Sequence, residues 1–355
     1  MPNYNTHLCT FMGRKFNVEI LLQYVENALR IDAIDHYHMI DMTRNFDDHE
    51  YINKEQQRLN ELYPGRVHIV NREVRAKQLK DDTAMDTVGS WSPFYKYVST
   101  FKDNDVIIKC DDDTLYFDIE TIRAAAEFRW NNKQPYIMHA NCINNGVCAY
   151  HQNKNNIWTK VKNKQLLSMY PDAGLTGCLF SDPDIACDMH EQFTNDLKSG
   201  AGIDKYKLKK NINFCNRVSI NFIFMLGSDR DTISKIDRQD EYEISSKIPN
   251  RLDRPNTIIG DFICAHHTYG PQEPVMEERG TQELYIDLVK KIDFSNCTNK
   301  KITQKYNKPI TIHDKNKYIG KYWATENSYT IKNKTIDKYL SIAWEKKEQM
   351  KFIIR

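Results

Sequence analysis

An α/β fold around a mainly parallel sheet is predicted by three features of the sequence. The first third alternates short apolar runs with amphipathic stretches, the pattern of βαβ units. The run Val106-Ile107-Ile108 is apolar without alternation, as a strand covered on both faces requires. The composition, 40% hydrophobic with 11% aromatic and 28% charged, is enough to bury a substantial core and argues against a disordered chain. At 355 residues the chain fits one large catalytic unit with an appended tail.

Taken in order, Thr6 to Met12 reads as the first strand, closing at Gly13-Arg14. Asn17 to Arg30 reads as a helix because Ile20, Leu21, Tyr24, Val25 and Ala28 recur at three- and four-residue spacing. His36 to Thr43 is the second strand. A helix over Asp47 to Tyr63 stops at Pro64-Gly65 and leads into a short strand, Val67 to Val70. The stretch Arg75 to Ser90 is polar, and the aromatic-rich Trp91 to Phe101 reads as a core helix. Asp105 to Cys110 is the next strand. Later strands are expected at Tyr136 to Ala140, Ile220 to Leu226 and Thr257 to Ala265, with helices near Asp184 to Asp196 and Gln282 to Lys291.

Nine cysteines without a C-x-x-C pair, an odd number, favour a reducing compartment, and Cys9, Cys110 and Cys264 lie in apolar runs as small buried hydrophobes. The polar start, Met1 to Asn5, lacks the pattern of a secretory signal, and no apolar stretch reaches the length of a membrane span. A cytoplasmic protein is therefore expected, with no nucleic-acid partner. Residues 300 to 355 carry 14 Lys/Arg against 5 Asp/Glu, so this basic extension can meet an anionic surface such as lipid headgroups, a peripheral membrane contact.

The chemistry concentrates at Asp111-Asp112-Asp113. Three adjacent carboxylates after a buried strand repel one another unless a cation neutralises them. Oxygen ligands of this kind select Mg²⁺ or Mn²⁺, which complete their shells with water and substrate phosphates. Alternate residues of a strand point the same way, so Asp111 and Asp113 are expected to converge while Asp112 faces elsewhere. In open α/β sheets ligands bind beyond the carboxyl ends of the strands, where this triplet falls.

The segment Lys109-Cys110-Asp111-Asp112-Asp113-Thr114-Leu115-Tyr116-Phe117-Asp118 resembles the DxD segment of GT-A glycosyltransferases, nucleotide-sugar-dependent and family 2-like. The resemblance covers the order of elements from the first strand to about Gln272. It implies a GT-A α/β fold, with a Rossmann-like nucleotide-binding half and a mixed central sheet. Residues 1–130 form the nucleotide-sugar-binding half, 131–295 the acceptor-binding half and 296–355 a basic C-terminal extension. It also implies that Thr10, Arg14 and Asp41 contact base, ribose or phosphate, and that Asp111 and Asp112 bind the metal-diphosphate.

Two later signals fit the same resemblance. Asp240-Glu241 falls where an inverting enzyme of this kind places a carboxylate that takes the proton from the acceptor hydroxyl. His266, in Ala265-His266-His267, falls where many of them supply a further metal ligand, giving the set Asp111, Asp113 and His266. Asn141, Asn144 and Asn145 offer amides that can read sugar hydroxyls, Gly174 to Gly177 is a loop that can approach the donor, and Asp182 and Asp184 cap the following helix.

The expected activity is transfer of a sugar from a UDP- or GDP-sugar to a glycan or glycoprotein hydroxyl, with Mn²⁺ or Mg²⁺. Carboxylates gathered at a strand end also suit a metal-dependent phosphohydrolase or nucleotidyltransferase. A non-catalytic nucleotide-sugar-binding module is the alternative from another class.

Overall fold

In the computed structural model, residues 4–83, 91–168, 179, 182–214, 217–237 and 239–304 are described. The loop Gly174 to Gly177 and the basic extension from residue 305 lie outside them. Strands β1 (Thr6–Met12), β2 (His36–Asp41), β3 (Val67–Val70) and β4 (Val106–Asp111) run parallel in the order β3-β2-β1-β4. Between them lie helices α1 (Lys15–Arg30), α2 (Phe46–Leu62), α3 (Arg72–Lys80) and α4 (Ser92–Val98). Thus the polar stretch after Val70 starts as a helix. It has only Arg75 buried, which explains why no apolar stripe announced it.

The sheet as a whole is mixed, as the expected mixed central sheet requires, and its first four strands keep the parallel βαβ arrangement. Beyond β4 come β8 (Phe222–Leu226), antiparallel to β4, then β6 (Met138–Ile143), antiparallel to β8, then β9 (Asn256–His266), parallel to β6. β5 (Thr114–Phe117) and β7 (Ile212–Phe214) both lie antiparallel on β9. The stretches 1–130 and 131–295 therefore share one sheet. The βαβ rhythm of the first third gives the parallel strands β1 to β4; of the strands near the centre, β8 alone runs the other way.

Alternation along the strands splits the core in two. Leu8 and Met12 of β1, with Tyr37 and Met39 of β2, pack under α1, which buries Val18, Leu21, Leu22, Val25, Ala28 and Leu29. Cys9 and Phe11, with Ile40, belong to the second core, where α4 buries Phe94, Tyr95 and Val98. Among the described residues no helix is long and apolar enough to cross a membrane.

The end of β8 leaves no room for a side chain. A Cβ on Gly227 would stand 1.8 Å from the Lys102 carbonyl oxygen, while the Gly227 N–H donates to the Asp105 carbonyl at 2.9 Å. Gly227→Ala is expected to cost at least about 1–3 kcal/mol, because backbone rather than a flexible side chain must move. A urea melt with an unchanged midpoint contradicts this packing.

Candidate metal centre and cleft

The acidic triplet is the corner where the chain leaves one strand pair for another. β4 ends at Asp111, paired with β1 and β8, and β5 begins at Thr114 and pairs with β9. Thr114 lies opposite His266, and the His267 N–H donates to the Asp113 carbonyl at 2.7 Å. This register sets His266 Nε2 3.2 Å from Asp113 Oδ1. On the other side, the Asp111 N–H donates to the Asn221 carbonyl at 2.9 Å as β8 begins. Residues distant in sequence thus meet at one end of the sheet.

One ligand atom from each of Asp111, Asp113 and His266 lies within 4.8 Å of the others. An ion holding ligands at about 2.1 Å needs them within roughly 4.2 Å of one another, so only a small closure is required. Two carboxylates and an imidazole suit a divalent cation that accepts both oxygen and nitrogen. Asp112 is not one of these three ligand residues, although it lines the same cleft and shares Arg14 with Asp113. Asp112 Oδ2 accepts from the Gly13 N–H at 3.0 Å and its Oδ1 from Arg14 at 2.6 Å, which fixes the turn after β1.

The same turn brings in positive charge. Arg14 also reaches Asp113 Oδ2 at 2.7 Å and approaches Glu273 at 3.6 Å. The ammonium of Lys109, almost wholly buried, pairs with Asp111 and donates to the Ile220 carbonyl at 2.8 Å. Two cationic side chains, Arg14 and Lys109, therefore stand against three carboxylates, with the His266 imidazole beside Asp113.

Electrostatics follow from burial and these pairings. Burial pushes the Asp111 carboxyl up to about 6 even with Lys109 beside it. Burial also raises Asp112, against the pull of Arg14. For Asp113 burial acts in the same direction, yet His266 and Arg14 prevail and hold its carboxyl well below the usual carboxylate range. His266 loses basicity to burial and regains more from Asp113, so its pKa rises above 6.5.

These groups line a cleft of about 340 Å³. Asp240 and Glu241 line it too, so the structure brings both proposed carboxylates to the triplet's cleft. Asp240 is buried, with Oδ2 accepting from the Tyr95 hydroxyl at 2.7 Å and Oδ1 from the Glu241 N–H at 2.8 Å. Glu241 pairs with Arg217 at 2.5 Å.

Thr10 and Asp41 are fully buried and do not line the cleft; their neighbours Phe11 and Met42 do. The cause is strand alternation, which turns Thr10 with Leu8 and Met12 into the α1 side of the core. Asp41 is consumed by Thr43, whose N–H and hydroxyl donate at 3.2 and 2.7 Å, and by His49 Nδ1 at 2.7 Å. Neither side chain therefore reaches the cleft, where contacts with base, ribose or phosphate were expected.

The three asparagines are buttresses rather than cleft residues. The Asn141 amide donates to the Tyr206 carbonyl at 2.8 Å, Asn144 to the His267 carbonyl at 2.8 Å, and Asn145 to the Ser219 carbonyl at 3.1 Å. Asp182 caps its helix by accepting from the Ile185 N–H, whereas Asp184 pairs with Arg279.

Sequence reasoning missed Lys109, Asn221, Trp91 and Tyr269, all in the cleft lining. Only Lys109 carried a signal: a lysine inside an apolar strand is buried at a cost unless it meets an opposite charge. The chain matches no protein-family model, and no characterised protein matches it in sequence.

Proposed function

We propose that the cleft is the active site of a metal-dependent glycosyltransferase of GT-A type, using a UDP- or GDP-sugar and Mn²⁺ or Mg²⁺. The observation that supports this reading is the convergence of Asp111, Asp113 and His266 beside Arg14, with Asp240 and Glu241 on the same cleft. Asp111, Asp113 and His266 would hold the ion, which when bound supplies charge neutralisation for a leaving diphosphate.

The chain's own groups complete the chemistry. To admit a divalent ion Asp113 gives up part of its hold on Arg14, which keeps Asp112 and can turn toward the diphosphate. Trp91 stacks on Phe11 with centroids 5.0 Å apart and gives the cleft an aromatic wall. Asp240, oriented by Tyr95, would accept the acceptor's hydroxyl proton as that oxygen attacks the anomeric carbon.

Screening UDP- and GDP-sugars with and without Mn²⁺ tests the reading. Metal-dependent release of the nucleoside diphosphate is expected. Release of phosphate or pyrophosphate points to a phosphohydrolase or nucleotidyltransferase, and intact but bound donor to a binding module.

The third ligand can be tested separately. His266→Ala is expected to raise the Mn²⁺ concentration for half-maximal rate by about tenfold, or 1.4 kcal/mol, while leaving the carboxylate pair in place. An unchanged Mn²⁺ titration returns His266 to a structural role.

A further inference from the structure

Away from the cleft, four histidines share one face of the sheet. His7 on β1 lies opposite His36 on β2, and His38 on β2 opposite His68 on β3; His36 and His38 point the same way because they alternate. The rings stack in pairs, His7 on His36 at 4.9 Å and His38 on His68 at 4.8 Å between centroids. His7 Nδ1 is 3.0 Å from His38 Nε2, and His36 Nδ1 is 3.3 Å from His68 Nε2.

The first pair is part of a longer chain of polar atoms. His38 Nδ1 meets the Tyr97 hydroxyl at 3.0 Å, and His7 Nε2 meets Asp105 Oδ2 at 3.4 Å. One set of proton positions satisfies it: Tyr97 O–H donates to His38, His38 N–H to His7, and His7 N–H points at Asp105. Both rings are then neutral. One extra proton can be taken by reversing the donors, but a second sets N–H against N–H.

The surroundings offer little compensation. Asp105 is also bound by the N–H groups of Asn5 and Lys102, and Asp35 is tied to Arg123 at 2.5 Å and to the Thr6 N–H at 2.7 Å. Arg66, bonded to Asp32 and to the Asp35 carbonyl, adds positive charge beside His36. Phe101 lies 4.6 Å from the His7 ring, Tyr97 borders His38, and Cys9 stands opposite His38 in the strand register.

The helix over this cluster is α4, and α4 also builds the cleft. Tyr97 contacts His38, while two residues earlier Tyr95 holds Asp240, and Trp91 at the helix start stacks on Phe11 in the cleft wall.

We propose that the His7–His36–His38–His68 cluster is an acid-sensitive support for α4: protonating it loosens α4 and dismantles the Tyr95 and Trp91 side of the cleft. The sign follows from burial, which lowers all four imidazoles, His7 to about 4, from the ordinary 6.5. Between about pH 6.5 and 4 the loosened state binds protons that the packed state refuses, so packing is intact above this window and lost as pH falls through it.

Hydrogen exchange of the full chain, corrected for intrinsic rates, tests this without any substrate. The opening population of residues 92–98 should grow about tenfold per pH unit for each proton taken up, with the β9 amides unaffected. His38→Gln should flatten that slope; if this variant does not fold, His36→Gln/His68→Gln, at half-buried positions, should make it shallower. Equal protection of α4 at pH 7 and 5 overturns the proposal, and so does a wild-type slope in a folded variant.

Discussion

Asp113→Asn is expected to abolish metal-dependent turnover while the chain still folds. The substitution keeps size and shape, and the contact that positions His266, from the His267 N–H to the residue-113 carbonyl, belongs to the backbone. What disappears is one negative charge at the centre of the ligand set. A unit charge about 4 Å from a cation contributes on the order of 4 kcal/mol in a partly screened site, roughly a thousandfold in metal affinity. Arg14 retains Asp112 at 2.6 Å, so no guanidinium is stranded.

Proton competition sharpens this test. His266 ligates only when neutral, and Asp113 raises its pKa, so metal affinity in the wild type should fall as pH drops through that raised value. In the Asn variant burial dominates at His266, and the residual pH dependence should move to lower pH. Mn²⁺ titration by calorimetry, with circular dichroism to check the fold, reads both effects. Wild-type Mn²⁺ affinity in the folded variant removes Asp113 from the metal set.

The first three strands were legible because each is a short apolar run followed by a clear helix or turn signal. Their parallel direction relative to one another needed only the βαβ rule. β5 was invisible for the opposite reason: its four residues continue directly from the acidic corner, and its partner is β9, about 150 residues away. The contact between Asp113 and His266 was reached only through resemblance, since no local pattern encodes a pairing at that separation.

Side-chain direction was legible in principle at Thr10, where alternation with Leu8 and Met12 points inward. Asp41 was not, because the partner that consumes it, His49, sits on the next helix. Lys109 shows the same limit from the other side. The sequence places a lysine in a buried strand, but only the approach of β8 puts the Ile220 carbonyl and Asp111 around its ammonium.

The chemical step is expected to fail in Asp240→Asn, with acceptor transfer reduced about 10²–10⁴-fold, the usual contribution of a positioned acid-base group. Both Asp240 oxygens are held, one by the Tyr95 hydroxyl and one by the Glu241 N–H, so its carboxylate has a fixed orientation toward the cleft. Glu241 differs: its partner Arg217 is exposed, and exposed pairs contribute about 0–1 kcal/mol, so Glu241→Gln should lose less. Donor and Mn²⁺ binding should barely change in either variant, because the residues proposed to hold them are Asp111, Asp113 and His266 rather than Asp240. Calorimetry for binding and product analysis for transfer separate the two effects. Near-normal transfer in both amide variants eliminates the inverting mechanism with a base at this position, whatever the metal titrations show, and directs attention to a retaining route or another carboxylate.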